Sequence, residues 1–294
     1  LGLGYANIGS VLMMSGIPYE SEDAYGFAAS VTALMTAESY KTSAELAKLL
    51  GPFNKFEMNR ADMLRVIRNH RRAAFNTPDS EYEKMDVKPI GIDPAHAPAH
   101  ILAAARESWN DALAMGEKYG YRNAQTTLLA PTGTIGLLMD CATTGVEPDF
   151  ALVKFKKLAG GGYFRIANES VPLALKNLEY NEKEAQEIID YMKGTADVSR
   201  APHINTTMLK EKGFNGEDIE SANKALKGAF EIKFAFNVWT LGEDCMKRCG
   251  FAPEQYNNPE FSMLHALGFN EEQIEEANQH VCGAMTIEGA PYLK

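Results

Sequence analysis

The sequence lacks the long apolar runs and the targeting segments that mark membrane and exported proteins. No stretch approaches the roughly 18 to 20 uninterrupted apolar residues that a membrane span requires. The first residues show neither the basic nor the apolar region of a signal peptide. These absences predict a cytoplasmic protein that has no membrane partner.

Acidic residues outnumber basic residues in this chain. Its 294 residues include 29 Lys and Arg against 39 Asp and Glu, which gives a formal net charge of −10. Non-specific binding to nucleic acid or to acidic membranes needs a basic field, so neither is an expected partner. A single phosphate group needs only a local positive pocket, and nucleotide binding therefore stays open.

Cysteine is also scarce, and four residues are too few for a disulfide framework in a chain of this length. Cys245 and Cys249 lie four residues apart on a predicted helix, a spacing that could hold a metal or form a redox pair. Zinc sites more often use a second ligand pair, which the sequence does not show. We interpret the two as structural thiols and predict no metal site. His280 and Cys282 lie in a stretch typical of a strand, where residues two apart share a face.

The most informative stretch is residues 129–136, which read Leu-Ala-Pro-Thr-Gly-Thr-Ile-Gly. An apolar run ends at Pro131, Thr132 and Thr134 flank Gly133, and a second apolar run follows. This pattern predicts a strand, a tight turn and a helix start. Backbone N–H groups, hydroxyls and the helix dipole at such a turn favour a bound phosphate. The alternative is an ordinary turn with a threonine cap, because short motifs often mislead.

Other stretches accompany this turn in a fixed order. The chain opens with LGLGYANIG, and Tyr121-Arg122-Asn123-Ala124-Gln125 precedes the turn. Residues 141–150 read CATTGVEPDF, residues 153–164 read VKFKKLAGGGYF, and residues 280–286 read HVCGAMT. Over essentially its whole length the chain resembles the catalytic barrel of ribonucleotide reductases, most closely the adenosylcobalamin-dependent class II branch. Several ordered matches are more specific than any single motif.

The resemblance implies an oxidoreductase that converts ribonucleoside diphosphates or triphosphates to deoxyribonucleotides for DNA synthesis by radical chemistry. It implies adenosylcobalamin as cofactor, a ribonucleotide substrate, a thiol reductant such as thioredoxin, and a homodimer. It also implies a set of residues that bind the substrate phosphates: Pro131, Thr132, Gly133, Thr134 and Ile135. Asn123 and Glu147 are secondary candidates, and each is equally consistent with a structural hydrogen bond.

The family's radical cysteine is implied to lie in an Asn-x-Cys-x-Glu pattern, which none of the four cysteines matches. We therefore expect no catalytic residue in this chain. Leu1 begins within an apolar glycine-rich stretch, and the last residues have no terminal character. We interpret the chain as an internal fragment, inactive by itself.

The implied fold class is α/β. Residues 1–171 would form part of the ten-stranded α/β barrel, and residues 172–294 an inserted helix-rich subdomain of helical hairpins with a following barrel segment. The sequence itself favours helices at about 22–50, 58–69 and 101–119, and a strand at Glu147-Pro148. After residue 172, three related units predict an asparagine cap followed by an acidic first helical turn: Asn181, Asn215 and Asn270.

Two alternatives remain open at this point. A non-radical nucleotide- or phosphate-binding protein would fold and bind phosphate by itself. A helical interaction module would have a protein partner and no nucleotide affinity. Gly160 to Gly162 predict a hairpin turn, with a loop over substrate or cobalamin as the alternative.

Overall fold

A computed structural model describes residues 1–157 and 163–293, so the predicted turn at Gly160 to Gly162 lies outside the described residues. The chain forms two compact units, Leu1–Asp149 and the residues from Phe150 onward. The predicted domain division after residue 171 stays a prediction. None of the described helices is both long and apolar enough to cross a membrane.

Helices dominate the first unit, and the predicted long helices are confirmed. The unit contains α1 Ile8–Met14, α2 Glu22–Leu50, α3 Phe56–Phe75, α4 Ala99–Tyr119 and α5 Gly133–Leu138, with one 3-10 turn at Asp79–Glu81. Helix α2 begins where the Ser21 side chain accepts a hydrogen bond from the N–H of Ala24, and it ends at Gly51. Helix α3 extends beyond the predicted helix at both ends.

The core of the first unit lies where α4 packs along α2 and α3. Trp109 and Tyr121 are fully buried there, and Ala37 contributes a small side chain from α2. Gly116 makes room for the Tyr121 ring, since a Cβ at this position would lie 2.0 Å from the Tyr121 hydroxyl oxygen. That hydroxyl donates to the carbonyl oxygen of Ala112 at 2.8 Å. A glycine and a tyrosine thus tie the end of α4 to the segment that leads to the predicted turn.

The predicted α/β barrel is not formed by the described residues alone. Parallel pairing among them is limited to one bridge between Leu3 and Thr127. The N–H of Leu3 donates to the carbonyl of Thr126 at 3.0 Å, and the N–H of Leu128 donates to the carbonyl of Leu3 at 2.7 Å. Parallel strands are typically held in sheets that are covered on both faces. Among the described residues, the segments around Leu3 and Thr127 have no further parallel neighbour, and they form a single bridge.

Two strand predictions are therefore corrected. The segment before Pro131 makes the single bridge at Thr127 rather than a full strand. The predicted strand at Glu147-Pro148 is an irregular loop. The structure supports the helix-rich part of the predicted fold, and the barrel stays a prediction.

The second unit begins with an antiparallel pair of strands, β1 Val153–Lys157 and β2 Tyr163–Ala167, in which Val153 lies opposite Ala167. Helices follow: α6 Ser170–Asn177, α7 Glu182–Lys193, α8 Thr206–Glu211, α9 Gly216–Leu226, α10 Val238–Arg248, α11 Pro253–Tyr256, α12 Met263–Ala266 and α13 Glu271–Cys282. A 3-10 turn at Ile232–Ala235 precedes α10. One hydrophobic cluster runs through the helices from α8 to α13.

The three predicted asparagine caps are confirmed. Asn181, Asn215 and Asn270 begin α7, α9 and α13, and each side chain accepts a backbone N–H three residues later at 2.9 to 3.0 Å. In each case the third residue of the helix bonds back to the asparagine N–H and completes a capping box. The strand predicted at His280 and Cys282 is wrong, because both residues lie in the last turn of α13.

Arg165 on β2 joins the ends of three helices in the second unit. Arg165 is 3% exposed. Its guanidinium donates to the carbonyls of Lys193 at 3.1 Å, Leu226 at 2.8 Å and Cys282, which are the last residues of α7, α9 and α13. It also donates to the carbonyl of Val281 at 3.4 Å. Carbonyls at a helix C-terminus have no partner within the helix and carry partial negative charge. One buried cation therefore satisfies three helix ends, although burial lowers the pKa of the Arg165 guanidinium.

We expect Arg165→Met to destabilise the second unit strongly. The substitution keeps an apolar side chain but leaves buried carbonyls without donors, which costs about 1 to 3 kcal/mol for each group. The total loss should reach about 3 to 5 kcal/mol, as for other buried charged groups that are removed. Hydrogen exchange of amides in α7, α9 and α13 under increasing urea would measure this loss in the free energy of unfolding. Arg200→Met, at an exposed arginine, is the control, and an equally small loss in both variants would contradict the role of Arg165.

Candidate phosphate-binding site

The predicted turn is followed by a helix, as the sequence indicates. Thr132 adopts a left-handed backbone conformation with φ of 57°, and α5 begins at Gly133. The carbonyl of Thr132 accepts the N–H of Gly136 at 2.7 Å. The N–H groups of the first helical residues have no partner within the helix, so they can donate hydrogen bonds to an external anion. Thr134 and Ile135 are both exposed beside them.

The Thr132 side chain bonds to a later loop and does not cap α5. Its Oγ1 accepts the N–H of Gly145 at 2.7 Å, and no side-chain cap bond to the helix is formed. Because the oxygen acts as acceptor here, its own O–H can still donate to another group. Gly145 has φ of 50°, and a Cβ there would lie 2.9 Å from the carbonyl oxygen of Ala130. The turn and the loop are thus held closely together.

Gly133 has open space around it. A Cβ built at this position has no heavy atom within 4 Å. Packing within the described residues therefore does not require glycine at position 133. The absence of a side chain leaves the N–H groups at the start of α5 accessible to a ligand.

The loop after α5, residues 141–148, is also held by α1 and the segments on either side of it. Asn7 has φ of 72°, and its side-chain oxygen accepts the N–H of Thr143 at 3.0 Å. The N–H of Ser10 donates to the Thr143 hydroxyl oxygen at 3.1 Å, and the Tyr19 hydroxyl donates to the carbonyl of Val146. These supporting residues were missed by sequence reasoning, although Asn7 and Thr143 lie within the stretches that carry the resemblance.

Glycine is required where α1 meets this loop. A Cβ at Gly9 would lie 2.6 Å from the carbonyl oxygen of Glu147. Gly9 therefore allows the loop backbone to approach α1 closely.

The two secondary candidates lie in different settings. Asn123 is half-buried and exchanges hydrogen bonds with Ser43, whose hydroxyl donates to Asn123 Oδ1 at 3.0 Å and accepts the Asn123 N–H at 2.9 Å. This arrangement fits a structural role that joins α2 to the segment before the turn. Glu147 is exposed in the loop. Burial, and secondly the charge of Glu147, raise the pKa of Tyr19.

A cavity of about 770 Å³ lies elsewhere in the first unit, and its lining includes none of the five residues of the turn. Tyr5, His70 and Trp109 line it, and the His70 and Trp109 rings stack with centroids 5.4 Å apart. The buried indole N–H of Trp109 has no hydrogen-bond partner. Among the described residues, no group of three or more His, Cys, Asp or Glu side chains is placed to hold a metal ion.

Comparison with known proteins gives consistent matches. The family model for the ribonucleotide reductase barrel domain matches residues 1–211. A vitamin B12-dependent ribonucleotide reductase of Agrobacterium fabrum is 56% identical over 100% of this chain and 23% of that protein. The corresponding protein of Bradyrhizobium diazoefficiens is 55% identical over 100% of the chain and 24% of its own length. That of Streptomyces coelicolor is 44% identical over 82% of the chain and 23% of its own length. The chain thus spans about a quarter of the length of these relatives.

We expect Thr132→Val to release the loop from the turn. The valine keeps the shape of threonine but removes the oxygen that accepts the buried Gly145 N–H, at a local cost of about 1 to 3 kcal/mol. The Gly145 amide should then exchange its hydrogen faster in a hydrogen-exchange measurement. Thr132→Ser should restore protection, and Thr134→Val should leave it unchanged. Full protection of Gly145 in Thr132→Val would disprove the link.

Proposed function

This chain belongs to the ribonucleotide reductase family, and we propose that it is the part of a vitamin B12-dependent reductase that binds the phosphates of the ribonucleotide substrate. The observation that carries the assignment is identity of 55 to 56% over the whole chain to proteins named vitamin B12-dependent ribonucleotide reductase. Similarity at that level extends through both compact units. It favours a reductase over the non-radical phosphate-binding protein and over the helical interaction module.

The proposed reaction converts ribonucleotides to deoxyribonucleotides by radical chemistry. The radical cysteine and its Asn-x-Cys-x-Glu surroundings are not in this chain. Cys245 and Cys282 are buried, which does not fit a thiol that reacts with a substrate. We therefore assign the thiyl radical and the final electron transfer from a thiol reductant to other parts of the full-length protein.

In the proposed fold, the first unit contributes to a parallel α/β barrel. The bridge between Leu3 and Thr127 supports this, because its two segments run parallel. Gly4 supports it too, since a Cβ at that position would lie 2.2 Å from the carbonyl oxygen of Leu128. Neighbouring strands from the full-length protein would extend this pairing on either side.

The turn from Pro131 to Ile135 has the features that phosphate binding requires. The N–H groups of Gly133, Thr134 and Ile135 lie at a helix start, where the dipole favours negative charge. The Thr132 O–H remains able to donate, and the exposed Thr134 can offer a second hydroxyl. Hydroxyls and amides of this kind can bind an anion without a basic side chain, which is consistent with the net charge of −10. Asn123 and Glu147 are proposed to support the surrounding backbone.

Adenosylcobalamin is the proposed cofactor, because the relatives are vitamin B12-dependent ribonucleotide reductases. The described residues do not by themselves form a site for it. The cavity of about 770 Å³ in the first unit is within the range of pockets for drug-sized ligands, about 300 to 1,000 Å³. Adenosylcobalamin is much larger. We therefore assign its contacts to other parts of the full-length protein.

We expect Gly133→Val to weaken ribonucleotide binding by the full-length protein. The side chain would occupy the open space in front of the amides at the start of α5, with an expected loss of about tenfold or more, equal to about 1.4 kcal/mol. Gly216→Val is the matched control, because Gly216 is also the first residue of a helix and has nothing within 4 Å of its Cβ position.

The measurement is the equilibrium affinity of both variants, and of the unaltered protein, for a ribonucleoside diphosphate and a ribonucleoside triphosphate. Unchanged affinity in Gly133→Val would exclude the turn as the phosphate site. An equal loss in Gly216→Val would mean that a general effect on helix stability, and not access to the amides, reduces binding.

A further inference from the structure

Two cysteines face each other near the end of α10 in the second unit. The N–H of Cys249 donates to the carbonyl of Cys245 at 3.0 Å, so one regular helical turn separates them. Residues at this spacing lie on one face of a helix, with Cβ atoms about 5 to 6 Å apart. The two thiol groups are therefore neighbours on that face. The reductase reaction proposed above uses neither cysteine.

The two thiols differ in exposure and acidity. Cys245 is fully buried in the core of the unit, whereas Cys249 is half-buried at the helix end. Interaction with the neighbouring Cys245 thiol lowers the pKa of the Cys249 thiol. The nearby Arg248 acts in the same direction, while burial and Asp218 oppose it. Interaction with Cys249, followed by burial, raises the pKa of Cys245. A reachable, more acidic thiol beside a second thiol is typical of a cysteine that senses oxidants.

We propose that Cys249 is a peroxide-reactive thiol and that Cys245 is its resolving partner. The Cys249 thiolate attacks hydrogen peroxide, which becomes hydroxide as Cys249 is oxidised to a sulfenic acid. The Cys245 thiol then attacks the Cys249 sulfur, a disulfide forms, and water leaves with the Cys245 proton. Two thiols lose two electrons, and one peroxide is reduced to two molecules of water. A thiol reductant reverses the change.

Formation of the disulfide would change the end of α10. The Cβ atoms must close from about 5 to 6 Å to about 3.5 to 4.5 Å. The segment that must move contains two backbone hydrogen bonds. The N–H of Cys249 donates to the carbonyl of Cys245, and the N–H of Phe251 donates to the carbonyl of Met246 at 2.9 Å.

The same segment contacts α9. The Arg248 guanidinium donates to both carboxylate oxygens of Asp218 at 2.7 to 2.8 Å, and Asp218 lies in the first turn of α9. Gly242 interrupts α10 with φ of 79° and ψ of 162°. The last turns can therefore move without displacing the start of the helix. Oxidation is expected to loosen the contact between α9 and α10.

The other two cysteines serve as internal comparisons. Burial raises the pKa of Cys282 to about 11, and its thiol lies against Arg165. Cys141 is half-buried in the first unit and has no cysteine within four residues of it in the sequence. If exposure alone set the rate of oxidation, Cys141 and Cys249 would react equally fast. A faster reaction of Cys249 would therefore show the effect of its neighbouring thiol.

The test is peptide mapping of the full-length protein after treatment with hydrogen peroxide and blocking of the remaining thiols. Lys247 and Arg248 lie between the two cysteines, so trypsin separates them unless a disulfide joins the peptides. Cleavage after Glu254 by a glutamate-specific protease also removes Cys282 from the Cys249 peptide. We expect a joined peptide that contains Cys245 and Cys249 and that dithiothreitol separates.

Two variants identify the roles. Cys249→Ser should abolish the joined peptide and leave Cys245 unlabelled by dimedone, which traps sulfenic acids. Cys245→Ala should abolish the joined peptide but leave a dimedone-labelled Cys249, and Cys141→Ser should behave as the unaltered protein does. The proposal fails if no joined peptide forms in the unaltered protein, or if Cys141 is oxidised at lower peroxide concentration than Cys249.

Discussion

The hydrogen bond from the Gly145 N–H to the Thr132 hydroxyl is the contact on which the candidate site depends. It joins the turn before α5 to the loop after it. The same loop is held on its other side by Asn7, Ser10 and Tyr19. The amides at the start of α5 are therefore held in position before a ligand arrives. A site that is rigid in advance loses less freedom when it binds an anion.

In the second unit, one buried side chain holds several helix ends together. Several helix ends converge in its interior, where their last carbonyls need donors. The Arg165 guanidinium supplies donors to three of them and balances the negative ends of three helix dipoles. Close packing at this point also depends on glycine, since a Cβ at Gly194 would lie 2.3 Å from the carbonyl oxygen of Val281. The strand pair that contains Arg165 is therefore part of the framework for the helices.

Features with local causes could be predicted from the sequence. The asparagine caps depend on residues three positions apart, and α2 and α4 are bounded by nearby glycines. Features with distant causes could not. Arg165 reaches carbonyls 28, 61 and 117 residues away, and Asn123 bonds to Ser43 across 80 residues. His280 and Cys282 are two residues apart, as residues on one face of a strand are. Two residues at this spacing also fit within one helical turn, and these two lie in the last turn of α13. The family was evident from ordered motifs, whereas a barrel needs strands that these residues alone do not provide.

The most direct measurement is an experimental structure of the full-length protein with a bound ribonucleotide. We expect phosphate oxygens about 2.7 to 3.2 Å from the amide nitrogens of Gly133, Thr134 and Ile135, within hydrogen-bond range. We also expect the bond between Gly145 and Thr132 to be retained. A ribonucleotide whose phosphates are held by other residues, with the start of α5 free of ligand, would contradict the proposed phosphate site.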